Sequence, residues 1–230
     1  MRLSLKAIEL CRMKFGKGEF CGFEQNEESE LDTMLQDVTS RDFDELIQNG
    51  IIDITDGNIH ISALGQHIFY MMLEPEQYIM LDNEADSKCV RIYIRNTYYL
   101  CVIEDKKVKS KDEYNRYIFK LLPKLDLVVG AFVHALHRKD SYVPLENDNN
   151  HIKQDISIIG KAWNTERNEI SQITIQGNYE NGAIHYQMVE EVEGVESKPK
   201  NFETETSELV NMLTKWTFDK ISAINESEVD

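Results

Sequence analysis

The stretch TSRDFDELIQNGIIDITDGNIHISALGQHIFYMMLEP, residues 39–75, decides how the N-terminal part of the chain reads. Thr39 and Ser40 carry oxygens that accept from the free amides of a helix start, and Thr39 with Asp42 fits a capping box. Phe43, Leu46 and Ile47 follow at helical spacing. Asn49-Gly50 ends this helix, because glycine enters the left-handed conformation without a Cβ clash. Ile51, Ile52 and Ile54 then read as a strand, with Ile59 and Ile61 on the return strand between Asn58 and His60. Asp56-Gly57 predicts a type I′ turn, which needs positive φ at both central residues. Ser62 caps a second helix with Leu64, Ile68, Phe69 and Met72 on one face. Pro75 stops it, since the residue before a proline is pushed out of the helical region.

Helix, two-stranded wing, helix is a winged-helix-like order, and its usual ligand is duplex DNA. Charge opposes that ligand. Affinity for duplex comes largely from Lys and Arg that neutralise phosphates and release counterions. The candidate recognition helix sets Arg41 against Asp42, Asp44 and Glu45, and the wing carries Asp53 and Asp56 with no base. Over the whole chain 41 acids face 25 bases, a net charge of −16. Nucleic acid and anionic membrane are therefore poor partners, and a neutral or basic protein is a better one.

At 230 residues, with 41% hydrophobic and 9% aromatic residues, the chain has material for one large domain or two small ones. Cys11, Cys21, Cys89 and Cys101 lie far apart and form no CxxC pair. They read as reduced thiols of a cytosolic protein, with disulfide pairing as the alternative. Lys6, Glu9, Arg12 and Lys14 interrupt any leader-like apolar core at the start. No stretch approaches the roughly 18 apolar residues of a membrane span. A cytoplasmic location is expected.

Residues 4–15 predict an amphipathic helix with Leu5, Ile8, Cys11 and Phe15 on one side, broken by Gly16 and Gly18. Glu19 to Phe23 reads as a short extended piece, and a helix is expected around Leu31, Met34 and Leu35. After Pro75 the period changes to two: Tyr78, Met80, Val90, Ile92 and Ile94 have the pattern of half-buried strands. Asn96 turns the chain into a strand over Tyr98–Ile103. The run Lys106, Lys107, Lys109 and Lys111 reads as a solvated loop. A helix is expected from Asp112, carrying Tyr114, Tyr117, Ile118 and Leu121 and ending near Pro123. Residues 125–136 fit helix or strand, with length favouring helix. Asp140 to His151 is a linker, followed by strands around Ile156–Ile159, Ile170–Ile175 and Ile184–Met188, with Asn181-Gly182 turning the last pair. Glu190 to Asn201 reads as a loop, and Leu209, Met212, Leu213, Trp216 and Lys220 mark a terminal amphipathic helix.

The class expected is α+β: an antiparallel sheet flanked by helices, with an N-terminal helical, winged-helix-like portion. The division expected is an α-rich 1–75, a sheet-and-helix portion 76–222 and a flexible tail 223–230, all able to pack as one domain. The blocks 78–136 and 156–222 repeat a strand-then-helix order, without evident residue identity.

Catalytic signatures are missing. His134 and His137 can share a helical face, but no carboxylate or cysteine completes a metal set at a ligand spacing nearby. Gly16-Lys17-Gly18 lacks the remainder of a dinucleotide fingerprint, and there is no GxSxG. No enzyme activity, cofactor or metal is expected, the alternative being an enzyme of unrecognised type whose acid–base groups are scattered in sequence.

The run LIQNGIIDITDGNIHISALGQHIFYMML followed by EPEQYIMLDN, with RIYIRNTYYLCVIEDKK, ISQITIQGNYENGAIHYQMV and a terminal helix bearing Trp216, resembles the EspG-like chaperones of Gram-positive type VII secretion loci. The likeness covers nearly the whole chain as an order of elements, with no single signature segment. It implies a cytoplasmic chaperone that keeps helical-hairpin secretion substrates soluble until export, the alternative being a winged-helix transcriptional regulator with a sensor domain. Candidate partner contacts are Ile184, Tyr186 and Met188 on the last hairpin and Met212 and Trp216 on the terminal helix, which equally suit core packing.

Overall fold

The computed structural model describes residues 1–15, 20–23, 40–83, 88–96, 98–106, 117–123, 154–164, 166–180 and 183–227. The expected helix near Leu31, the 125–136 segment, His134, His137, His151 and the Asn181-Gly182 turn lie outside them. Strands dominate, twelve against four helices among the described residues.

The N-terminal portion runs β1 (Arg2–Leu3), α1 (Leu5–Phe15), α2 (Ser40–Gln48), β2 (Ile52–Thr55), β3 (Asn58–Ile61) and α3 (Ala63–Leu73). Its local signals act as the sequence requires. Asp56 and Gly57 both take positive φ, 53° and 76°, and close the β2–β3 hairpin. Ser62 accepts a hydrogen bond from the Gly65 amide and caps α3, which stops at Leu73, ahead of Pro75. Ser4 does the same for α1, its Oγ accepting from the Ala7 amide at 3.1 Å.

One antiparallel sheet forms the middle of the molecule. Its strands are β4 (Gln77–Asn83), β5 (Lys88–Arg95), β6 (Tyr98–Asp105), β7 (Tyr117–Leu122), β8 (Gln154–Trp163), β9 (Glu169–Glu180), β10 (Ala183–Val192), β11 (Val195–Glu196) and β12 (Lys200–Thr204), with β1 added at one edge. The order is β1-β7-β6-β5-β4-β8-β9-β10-β11, and β12 pairs with β10 along the same edge as β11. Helix α4 (Thr206–Ser227) follows.

Alternation along the strands sorts side chains to two faces. Ile79, Leu81, Val90, Ile92, Ile158, Ile173 and Ile175 meet Leu209, Leu213, Trp216 and Ile221 of α4. On the other face Tyr78, Tyr93, Leu100, Val102 and Phe119 meet Ile8, Leu46, Ile68, Phe69 and Met72 of the N-terminal helices. The result is helices, sheet, helix in three layers. β1 completes the sheet edge, with Arg2 opposite Ile118 and Leu3 opposite Tyr117, so residues 1–75 and the sheet share one core.

Several expectations are corrected. Residues 117–122 are a strand: Tyr117 and Phe119 are buried toward α1, while Ile118 and Lys120 point the other way at intermediate exposure. β4 and β5 are buried on both faces instead of one, because helices cover both. Phe20–Phe23 contains a turn at Cys21-Gly22, where Gly22 has φ 74°. The segment read as a loop, 190–201, holds the end of β10, a turn at Glu193-Gly194, β11 and the start of β12. The terminal helix continues to Ser227, through much of the expected tail. No helix among the described residues is long and apolar enough to cross a membrane.

Candidate functional site

A groove opens where α1, α2 and the β2–β3 hairpin meet. It encloses about 300 Å³. Leu10, Cys11 and Met13 line it from α1, Phe43 and Leu46 from α2, and Ile52, Ile59 and Ile61 from the hairpin. Local sequence explains the lining. In the hairpin Ile52 stands opposite Ile61 and Ile54 opposite Ile59, so the two-residue period puts all four isoleucines on one face. On α1, Leu10 and Met13 form a second i, i+3 pair beside the Leu5, Ile8 and Cys11 stripe.

The groove is only partly closed. Met13 is 49% exposed, Ile54 58% and Ile59 40%, so the apolar face runs outward along the hairpin to its tip. Clustered exposed aliphatics of this kind mark interaction surfaces. Among the described residues no carboxylate, histidine, hydroxyl or side-chain amide lines the groove, and burial pushes the Cys11 thiol up to about 12. A lining of this composition suits apolar groups.

Beneath it lies a buried polar joint. The Ser4 amide donates to Glu45 Oε1 at 3.0 Å, linking α2 to the start of α1, and Lys6 pairs with Asp42 at 3.7 Å. Glu45 Oε2 is buried without a hydrogen-bond partner. Burial, against the lowering effect of the Ser4 hydrogen bonds and with the nearby Asp42, raises the Glu45 carboxyl to about 7. A carboxyl whose folded pKa lies above its unfolded value binds more protons when folded. Its stabilising contribution is therefore complete below the unfolded value and lost as pH rises through about 7. Glu45→Gln keeps the acceptor for Ser4 and removes the titration. It is expected to gain on the order of 1–2 kcal/mol at pH 8 and nothing at pH 4.5, measured by urea unfolding at both values.

A second buried polar group joins the sheet to the Phe20–Phe23 turn. Arg91 and Glu104 pair at 2.9 Å on adjacent strands, and Tyr117 donates to Glu104 at 3.0 Å. Arg91 Nε also donates to the Gly22 carbonyl at 2.8 Å, and its guanidinium lies 4.7 Å from the centre of the Phe23 ring. Tyr93 donates to the Cys21 carbonyl at 2.6 Å. A Cβ on Gly22 would overlap the Tyr78 hydroxyl, so only glycine lets the turn sit this low. These contacts hold the turn to the sheet, while Arg91 Nη1 and the Tyr78 hydroxyl are buried without a hydrogen-bond partner.

The five partner-contact candidates come together, but against each other. Ile184 is 0%, Tyr186 6% and Trp216 6% exposed, inside the core between sheet and α4, with Met188 and Met212 half-buried beside them. Tyr186 stacks on Phe202 of β12, with ring centres 5.1 Å apart. An open depression of about 460 Å³ lies there, lined by Gln176, His185, Gln187, Asn201 and Glu203 beside the Tyr186 and Phe202 rings, with His185 Nδ1 3.8 Å from Glu203 Oε2. The four cysteines are free thiols, and burial raises Cys89 to about 11 and Cys101 to about 12. Among the described residues no group of His, Cys, Asp and Glu could hold a metal ion. Lys106 pairs with Asp82 at 2.6 Å, and the remaining lysines of that run lie outside the described residues.

No family model, curated protein or solved structure matches this chain. What it binds therefore has to be argued from its own surface.

Proposed function

We propose that the chain is a non-catalytic, cytoplasmic binding protein that holds helical type VII secretion substrates soluble before export. The role comes from the resemblance to EspG-like chaperones. The observation that carries it is the open aliphatic face at Met13, Ile54 and Ile59 beside the α1–α2–hairpin groove, which has no use in a protein that works alone. The helix–hairpin–helix order of residues 40–73 is read as a winged-helix-like module turned to protein contact.

The winged-helix regulator is the competing role, and the order of elements favours it. The charge does not. Asp44, Asp53 and Asp56 are exposed on the helix and wing that would meet phosphate, against Arg41. The test is co-expression with the small helical-hairpin secretion proteins of the same strain, followed by size-exclusion chromatography. A stoichiometric complex, and no salt-dependent duplex binding, is the expected result. Duplex binding without a protein complex would replace the chaperone with the regulator.

A further inference from the structure

We propose that β12 is the seam of a symmetric homodimer, pairing antiparallel with β12 of a second copy of this chain about a two-fold axis at Phe202. The sheet of one copy then continues into that of the other. This goes beyond the binding role proposed above and does not depend on it.

The two ends of the sheet differ. One closes on β1, two residues long, with the Met1 amine donating to the Phe119 carbonyl at 3.2 Å. At the other end, among the described residues, β12 pairs with β10 alone. Lys198 to Glu203 and Glu205 are exposed, and Thr204 is half-buried. A strand paired on one side carries a row of N–H and C=O groups on the other, a template for a further strand. The Phe202 ring, 38% exposed, stacks on Tyr186 and is covered from that side only. Phe202 lies opposite Tyr186 and Lys200 opposite Met188, so Lys200, Phe202 and Thr204 share the face of α4, while Asn201 and Glu203 share the other.

The occupant follows from the strand's own residues. A two-fold axis normal to an antiparallel sheet maps hydrogen-bonded pairs onto hydrogen-bonded pairs, so one residue has to face its own copy. With Phe202 on the axis, Asn201 faces the partner's Glu203 at two symmetric contacts, and Lys200 faces the partner's Thr204 at two more. Each facing pair then sets a donor against an acceptor, or ring against ring. Moving the axis by one residue spoils this. At Glu203 two carboxylates meet, and at Asn201 the neighbouring Pro199, with no N–H to give, falls opposite Glu203. The strand is also basic at its start, Lys198 and Lys200, and acidic at its end, Glu203 and Glu205. Antiparallel pairing lays each half along the opposite charge, and parallel pairing would lay like on like. Five residues a side fall well short of the roughly 1,000 Å² of a lasting interface, so this dimer dissociates on dilution.

The test uses the full chain. Phe202→Cys puts a thiol on the axis, where facing Cα atoms stand about 4.5–5.5 Å apart, within reach of a disulfide. Mild oxidation is expected to give a covalent dimer joined through position 202 of both copies, read by non-reducing electrophoresis and peptide mass mapping. Val195→Cys, in β11 at 73% exposure, is expected to cross-link about tenfold more slowly or less. A second arm leaves the ring in place. Sedimentation of the parent is expected to show a monomer–dimer equilibrium, weakened about tenfold or more by Asn201→Asp, which sets a carboxylate against the partner's Glu203 at both contacts. Val195→Asp, equal in added charge, should leave the equilibrium unchanged. Asn201→Asp with Glu203→Asn exchanges the facing residues and should restore it, which a defect in folding would not. A parent chain that stays monomeric up to its solubility limit overturns the proposal. So does Phe202→Cys that links no faster than Val195→Cys, or a dimer that Asn201→Asp leaves intact. Phe202→Cys that links to a different, co-purifying protein overturns it too, and gives the edge to a foreign strand.

Discussion

Glu104→Ala is expected to destabilise the chain by about 3–5 kcal/mol, with unfolding still cooperative. Arg91 is 7% exposed and Glu104 4%. With the carboxylate gone, the guanidinium keeps its charge, retains the Gly22 carbonyl, and loses the one anion it touches at 2.9 Å. Its Nη1 is already buried without a hydrogen-bond partner. Tyr117 loses its acceptor at the same time, on the strand that pairs with β1. The paired replacement Arg91→Met with Glu104→Leu is expected to recover most of the loss, because two charges are then removed from a dry site instead of one. Urea unfolding of the parent, both single variants and the double variant measures the coupling directly. If Glu104→Ala costs less than about 1 kcal/mol, water reaches this site and the pair does not hold the Cys21-Gly22 turn.

That arginine also shows where sequence reading stops. In KCVRIYIR, the alternation of Val90, Ile92 and Ile94 correctly gives one buried face. The same period puts Cys89, Arg91 and Tyr93 on the opposite face, which reads as solvent-facing until the N-terminal helices are known to cover it. Local signals were legible because each acts within a few residues: the Ser62 cap, the Asp56-Gly57 turn, and Asn96, whose φ is 52°. Tyr117, Ile118 and Leu121 imitate helical spacing, and the competing alternation of Tyr117, Phe119 and Leu121 won because β6 offers an edge to pair with. β12 carries one large apolar residue, Phe202, and is held by pairing with β10 that no local pattern announces. The groove was half legible. Its isoleucines were visible as strand residues, but their exposure depends on how far α1 and α2 reach over the hairpin, and that is a tertiary fact.

Trp216→Ala is expected to cost about 3–5 kcal/mol, lowering the melting temperature by roughly 10 °C, with or without a partner present. The indole lies over Gly160 of β8, between Leu81 and Ile173, and its Nε1 donates to Glu190 at 3.3 Å. Lys220 pairs with the same carboxylate at 3.0 Å, so the loss of the ring also loosens the end of α4 against β10. Gly160 is what makes room for it. A Cβ there would stand 2.7 Å from Ile173 Cγ2, 2.8 Å from Leu81 Cδ2 and 3.1 Å from Trp216 Cζ3, so Gly160→Ala alone should cost about 1–3 kcal/mol. In the Trp216→Ala background the same alanine should cost less, since one of its three neighbours has gone, and the two changes should fall short of additive. A residue kept for a partner behaves oppositely: its removal would leave the melting temperature of the free chain unchanged and shorten the lifetime of the complex. The melting curve of free Trp216→Ala protein therefore separates a side chain that fastens α4 to the sheet from one held for something outside the chain.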